Sequence, residues 1–279
     1  MFRYLNFFNY KNFLYDLVNY ISSLALFLFV FIQLKESGTH GIYSGFLLRN
    51  KNRGSKWQFV ATIAEALIVI LFVAALPAWT INRPFSKLFY NFTGHTGAAL
   101  YFGYIISILP FFMICAFLLG IKPLKSLDLI TPGLPLSLIF FKFACFCSGC
   151  CNGIKTEYGF FNYRTKATEF PVQLVESVEA LVIFLILMRI GKKAKTGTMF
   201  PIYTVIYCGM RFCSEFFRAQ PDIWGPLKCV HLLCIAGIVL GFIGFVAAEK
   251  YGEKIDGAFG GIYSGIEAFL YKKFPKKSD

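Results

Sequence analysis

Residues 207–218 read Tyr207-Cys-Gly-Met-Arg211-Phe-Cys-Ser-Glu215-Phe-Phe-Arg218. Tyr207, Arg211 and Glu215 are four apart and Arg218 follows three later, so a helix here projects all four the same way. On a soluble helix this would be an ordinary polar stripe. This chain, however, is 57% hydrophobic with a mean hydropathy of +0.60, and only 15% of its residues are charged. Soluble proteins carry about 25% charged residues. A charge at the centre of a membrane helix costs at least ~2.5 kcal/mol, so one placed there usually has a use. The stretch therefore predicts a polar site inside a membrane bundle.

Working outward, seven apolar stretches are long enough to cross a hydrocarbon core, at about 13–34, 58–81, 97–120, 129–149, 171–190, 199–217 and 228–248. The net charge of +13 is unevenly spread over their connections. Loops on one side, with the C-terminal tail, hold seventeen Lys and Arg residues, and the other side about nine. The positive-inside rule then puts the N-terminus outside and the C-terminus in the cytoplasm. This basic charge reads as topology, and no aromatic-interleaved basic patch suggests a nucleic-acid partner. The first apolar run is too long for a signal-peptide core, so no cleavable signal is expected. The domain reading is an aromatic interfacial segment at 1–12, a seven-helix unit at 13–250, and a basic amphipathic cytoplasmic tail at 251–279 lying on the anionic leaflet. The fold class is all-α: a polytopic bundle around a polar cavity facing the outer leaflet.

With that topology, unusual residues fall at one depth. Lys142 lies in the outer half of the fourth span, which leads into Cys145-Phe-Cys-Ser-Gly149-Cys-Cys-Asn-Gly153. The fifth span opens with Pro171, which suits a first helical turn, and places Gln173 and Glu176 on one face. The sixth ends in Arg211, Glu215 and Arg218, and the third starts at Thr93-Gly-His95-Thr-Gly97. Structural accidents would scatter through the bundle rather than gather at one level. Arg211 and Arg218 offer planar forks of donors and Lys142 a point charge, a set suited to clamping a phosphate. Glu176 and Glu215 can orient those cations or act as a base, and His95 can move a proton. Gly94, Gly97, Gly149 and Gly153 let backbone approach a head group closely. A phospholipid entering from the outer leaflet is the ligand this chemistry suggests.

Three motifs here, Gly149-Cys-Cys-x-Gly153, Pro171-x-Gln-Leu-x-Glu176 and Tyr207-x-x-x-Arg-Phe-x-x-Glu-Phe-Phe-Arg218, resemble those of the prolipoprotein diacylglyceryl transferase family. The resemblance runs from about 93 to 248 and implies an enzyme of lipoprotein biosynthesis in the bacterial cytoplasmic (inner) membrane. Such an enzyme transfers a diacylglyceryl group from phosphatidylglycerol to the lipobox cysteine thiol of a preprolipoprotein, making a thioether and releasing glycerol phosphate. No metal or organic cofactor is implied; the partners are the lipid, the lipobox segment and the bilayer. By motif, Arg211 resembles the essential arginine that stabilises charge on the leaving phosphate. Glu215 and His95 stand with it as catalytic residues, His95 being the nearest match to the family histidine. Lys142, Gln173, Glu176, Tyr207, Arg218, Gly149 and Gly153 are the expected substrate-binding set. The chain departs from the pattern at three places. His-Gly-Gly becomes His95-Thr-Gly97, an arginine becomes Lys142, and an Asn-Phe-x-Asn-Gly-Glu run becomes Cys145-Phe-Cys-Ser-Gly-Cys150.

Plainer readings stand beside these. Arg211 and Glu215 can be an ion pair that fixes helix packing, Lys142 can snorkel to head groups, and His95 can cap a helix. His231 reads as a packing or interfacial residue and His40 as uninformative. Cys145, Cys147, Cys150 and Cys151 read as small apolar residues, with one disulfide among them as the alternative in an oxidising compartment. A zinc site would need a second, distant ligand pair, so no metal is expected. Two competing functions remain: a divergent relative using another phospholipid donor or acceptor, and a non-enzymatic lipid or solute transporter. A transporter predicts polar groups through the membrane depth and pseudo-symmetric halves, neither visible in the sequence.

Overall fold

The computed structural model describes residues 122–219 and 225–273, together with part of 17–33. The 1–12 segment, the second and third predicted spans and His95 lie outside the described residues. Five named helices and a small hairpin make up the described part: α1 (Pro123–Ile130), α2 (Gly133–Ser148), β1 (Lys155–Asn162), β2 (Ala167–Glu169), α3 (Val172–Ile190), α4 (Met199–Glu215) and α5 (Cys229–Lys273). The described residues in 17–33 are helical as well, and Ser22 Oγ donates to the Ser137 carbonyl of α2 at 2.8 Å.

At one end of the bundle, two aspartates cap the starts of helices in other parts of the chain. Asp256 of α5 accepts from Leu124 N and Lys125 N at the start of α1, both at 2.9 Å. Asp128 of α1 accepts from Gly197 N and from Met199 N at the start of α4. Each carboxylate satisfies donors that a helix start leaves unpaired and meets the positive end of its dipole. These contacts tie α1, α4 and α5 together.

Helix α3 packs along α2 and against α4, and α5 packs along α4. The core between them holds Ile183, Leu187, Met199, Tyr203, Tyr207, Cys208, Val230 and Cys234. Glycines in α5 allow the close approach: a Cβ on Gly237 would lie 2.5 Å from Cys208 Sγ, and one on Gly241 would lie 2.8 Å from Val205 Cγ2. Small residues at such a seam let membrane helices gain contact where water offers no hydrophobic drive. The opposite face of α5 presents Val239, Leu240, Phe242, Ile243 and Val246 outward, each more than half exposed. Among the described residues, Pro123–Ser148 and Cys229–Ile262 are long and apolar enough to cross a membrane, with hydropathies of 1.7 and 2.5. Helices α3 and α4 fall within the predicted fifth and sixth spans, and α5 continues unbroken past 250.

The expectation of an all-α chain needs one amendment. The described chain is mostly helical, but β1 and β2 pair antiparallel, with Phe161 opposite Thr168, Asn162 opposite Ala167 and an irregularity between Lys155 and Phe160. The segment Lys155–Asn162 carries Thr156, Tyr158, Phe160 and Phe161, which favour extended backbone. It lies between predicted spans, where the chain is not obliged to satisfy its backbone within a helix.

Candidate functional site

The site forms where α2 ends, α3 begins and α4 ends. Three local features bring these ends together. Helix α2 stops at Gly149, whose φ of 65° is left-handed. Gly149 N donates to Phe146 O and Cys150 N to Cys145 O, both at 3.1 Å, which is the paired Schellman arrangement. A side chain at Gly149 would also meet Asn162 Oδ1 at 2.5 Å. Next, the loop after α2 is stitched to the end of α4: Ile154 N donates to Phe217 O at 2.9 Å and Ala219 N to Asn152 O at 3.1 Å. This seam pairs Gly153 with Arg218, and a Cβ on Gly153 would sit 2.1 Å from Phe170 O. Finally, the hairpin braces the loop. Asn162 Nδ2 donates to Gly149 O at 3.0 Å and to Glu169 Oε2 at 2.9 Å.

Glu176 is the hub. It is 3% exposed and takes three cations from three directions. Lys142 Nζ of α2 lies 2.8 Å from its Oε2. Arg218 donates through Nε to Oε1 at 3.0 Å and through Nη2 to Oε2 at 2.6 Å, a forked contact. Arg211 of α4 donates through Nη1 to the same Oε1. The other nitrogen of Arg211, Nη2, is 2.5 Å from Glu215 Oε2, and Arg218 Nε is 3.8 Å from it. Glu215 is wholly buried and its oxygens have no aligned hydrogen-bond donor among the described residues, so these contacts are ion pairs rather than directed bonds.

The sequence-predicted set thus largely converges. Lys142, Glu176, Arg211, Glu215 and Arg218 form one network. Tyr207 joins Lys142, Glu176 and Arg211 in lining a narrow cleft whose apolar wall includes Leu138, Ile183 and Met210. Gly149 and Gly153 shape the adjoining loop. Gln173 shares a buried face with Glu176 but serves that loop instead: its Nε2 donates to Cys150 O at 2.6 Å. His231 fits its packing reading, buried against Phe212 and Phe216 at centroid distances of 4.7 and 4.3 Å.

Two residues escape a reading of the sequence. Glu179 lines the same cleft one turn beyond Glu176 and is in no ion pair among the described residues. Its i,i+3 spacing from Glu176 was the available signal. Lys228 is 5% exposed, with Nζ donating to Glu215 O at 2.8 Å and Arg218 O at 2.6 Å. A buried ammonium there caps the carbonyls at the negative end of α4.

The sequence profile of the prolipoprotein diacylglyceryl transferase family matches residues 41–247, which include this cluster and His95. Three similar proteins bear the name phosphatidylglycerol--prolipoprotein diacylglyceryl transferase. The one from Chlorobaculum tepidum is 33% identical over 149 residues, 50% of this chain and 51% of the relative. That from Campylobacter lari is 31% identical over 177 residues, 60% of this chain and 63% of the relative. A form numbered 2 from Clostridium perfringens is 30% identical over 227 residues, 76% of this chain and 88% of the relative. The chain thus spans about half the length of the Chlorobaculum relative and most of the Clostridium one. With well over half its length matched, the chain belongs to the prolipoprotein diacylglyceryl transferase family.

Proposed function

We propose that this protein transfers a diacylglyceryl group from phosphatidylglycerol to the lipobox cysteine thiol of a preprolipoprotein, in the bacterial cytoplasmic membrane. The observation that carries the reading is the convergence of three cations, Lys142, Arg211 and Arg218, on Glu176 and Glu215 beside an apolar-walled cleft. Such a set offers a phosphodiester head group several charged donors at one place. The apolar walls of the cleft suit acyl chains, and the relatives' names supply the donor and acceptor classes.

In the reaction, the acceptor sulfur forms a bond to the glyceryl carbon that carried the phosphate. The carbon–oxygen bond breaks and its electron pair leaves with glycerol phosphate, which gains a negative charge. Arg211 and Arg218 answer that charge, and Glu176 and Glu215 hold their guanidinium groups in place before it develops. The thiol proton passes to Glu179, the cleft carboxylate with no ion pair of its own among the described residues. His95 keeps the proton-handling role its motif suggests. Tyr207 and Lys142 position the head group; Gln173, Gly149 and Gly153 hold the loop beside it. The seven-span, N-outside topology and an outer-leaflet cavity belong to the same reading.

A second reading, a relative acting on another donor or acceptor, is favoured by Lys142, which contacts Glu176 through a single ammonium where the family pattern has an arginine. Liposomes containing the protein, acyl-labelled phosphatidylglycerol and a lipobox peptide separate the two. Label bound to the peptide thiol through a thioether supports the first. Label that moves only from phosphatidylethanolamine, or not at all from a folded protein, overturns it.

A further inference from the structure

Beside the cation cluster lies a group of side chains that the transfer reaction does not use. The sulfurs of Cys145, Cys150 and Cys151 all lie within 4.8 Å of one another. We infer that they form a three-thiolate site for a soft, closed-shell metal ion of the Zn(II) or Cu(I) kind, which fastens the loop at 149–153 to the end of α2.

The sequence alone gives no reason for the three to meet, because residues five and six apart do not share a helix face. The chain reversal at Gly149 supplies one. In the Schellman arrangement the residue after the left-handed position returns over the last turn, bringing Cys150 back onto Cys145. Cys151 then takes a left-handed φ of 61°, unusual for a residue with a side chain, and completes the triangle. Strained backbone of this kind clusters at functional sites.

A disulfide would draw two sulfurs to about 2.05 Å and leave the third without a role. Three sulfurs around one metal at about 2.3 Å stand roughly 3.8–4.0 Å apart, which the observed spacing accommodates with small adjustments. All three are free cysteines, Cys145 buried and the other two half-buried, so the site is covered yet reachable. The distant ligand pair that a closed zinc site needs is not found among the described residues, so the group is a three-sulfur one.

Charge favours the same assignment. Three thiols binding Zn(II) release three protons and leave one net negative charge; Cu(I) leaves two. Lys142 stands one turn before Cys145 on α2 and Arg218 pairs with Gly153 of the same loop, so two cations adjoin the group and offset that charge. A further polar group beside the cluster is incompletely satisfied. Gln173 is wholly buried and holds the Cys150 carbonyl at 2.6 Å, while its Oε1 lacks a hydrogen-bond partner among the described residues. Such a group commonly marks a water or ion. Because the loop pairs Gly153 with Arg218, a metal here would brace the arginine that forks onto Glu176.

The test uses the full chain, purified in detergent and fully reduced, titrated with Zn(II) and separately with Cu(I) against a competing chromophoric chelator. One equivalent of either ion per chain is expected. Binding should fall at least tenfold in Cys145→Ser and Cys150→Ser, and be unchanged in Cys147→Ser and Cys213→Ser. Should the first two variants fail to fold, alkylation of the wild type reads the same site. Bound metal should slow modification of Cys150 and Cys151 at least tenfold and leave exposed Cys213 unaffected. Failure to bind either ion, binding that survives loss of Cys145 and Cys150, or equal alkylation with and without metal would overturn the assignment. Transfer activity enters none of these readouts, so the result is independent of the transferase reading.

Discussion

Glu176 accepts from Lys142, Arg211 and Arg218 at once, so removing its charge takes the carboxylate from Lys142 and leaves Arg211 and Arg218 to share Glu215 in a site of low dielectric. Breaking a buried ion pair from one side costs about 3–5 kcal/mol. Glu176→Gln should therefore lower the thermal midpoint in detergent and abolish transfer; an unchanged midpoint would show the network to be looser than its geometry. Glu179→Gln should behave differently. If Glu179 takes the thiol proton, kcat falls by about 10²–10⁴-fold while the midpoint stays near that of the wild type. Equal losses of kcat in Glu179→Gln and Glu176→Gln with matching instability would assign Glu179 a structural role only. Much of this site was legible in the sequence. Arg211, Glu215, Arg218, Glu176 and Lys142 stand out because ionisable residues in apolar spans are rare and their spacing put them on shared faces. Glu179 was not, since a carboxylate one turn past a motif looks like any other, and its place in the cleft depends on how α3 meets α4. Lys228 was not singled out, because its burial depends on how α5 packs against α4.

The elements are set by turns and caps as much as by hydrophobic runs. A Cβ on Gly153 would lie 2.1 Å from the Phe170 carbonyl, whereas one on Gly209 of α4 would meet nothing within 4 Å. Gly153→Ala should pull the loop off the end of α4 and cost most of the activity. Gly209→Ala should be neutral, or stabilising by up to about 1 kcal/mol. The pair is read by activity and thermal midpoint, and a fully active Gly153→Ala would mean that the loop seam does not position Arg218. Helices α2 to α5 were legible as long apolar stretches. The hairpin was not, because it is short and is held largely by Asn162 and Glu169, whose partners come from folding. The capping by Asp128 and Asp256 was equally hidden, joining residues that lie far apart in sequence.

At the scale of the molecule, the outward apolar face of α5 and the polar cluster inside are what a lipid-embedded enzyme requires. If the proposed topology holds, alkaline phosphatase fused after Asp279 should be inactive in bacterial cells, and the same reporter inserted in the turn at 163–166 should be active. The reverse pattern would invert the orientation. The central claim is that the buried cations answer the charge of a leaving phosphate, and one comparison tests it most directly. Wild type and Arg211→Ala, reconstituted at equal folded amounts, are given labelled phosphatidylglycerol and a lipobox peptide, and thioether formation is followed by mass spectrometry. The account predicts transfer by the wild type and a loss of about 10²–10³-fold or more in Arg211→Ala. Equal transfer by both proteins would contradict it.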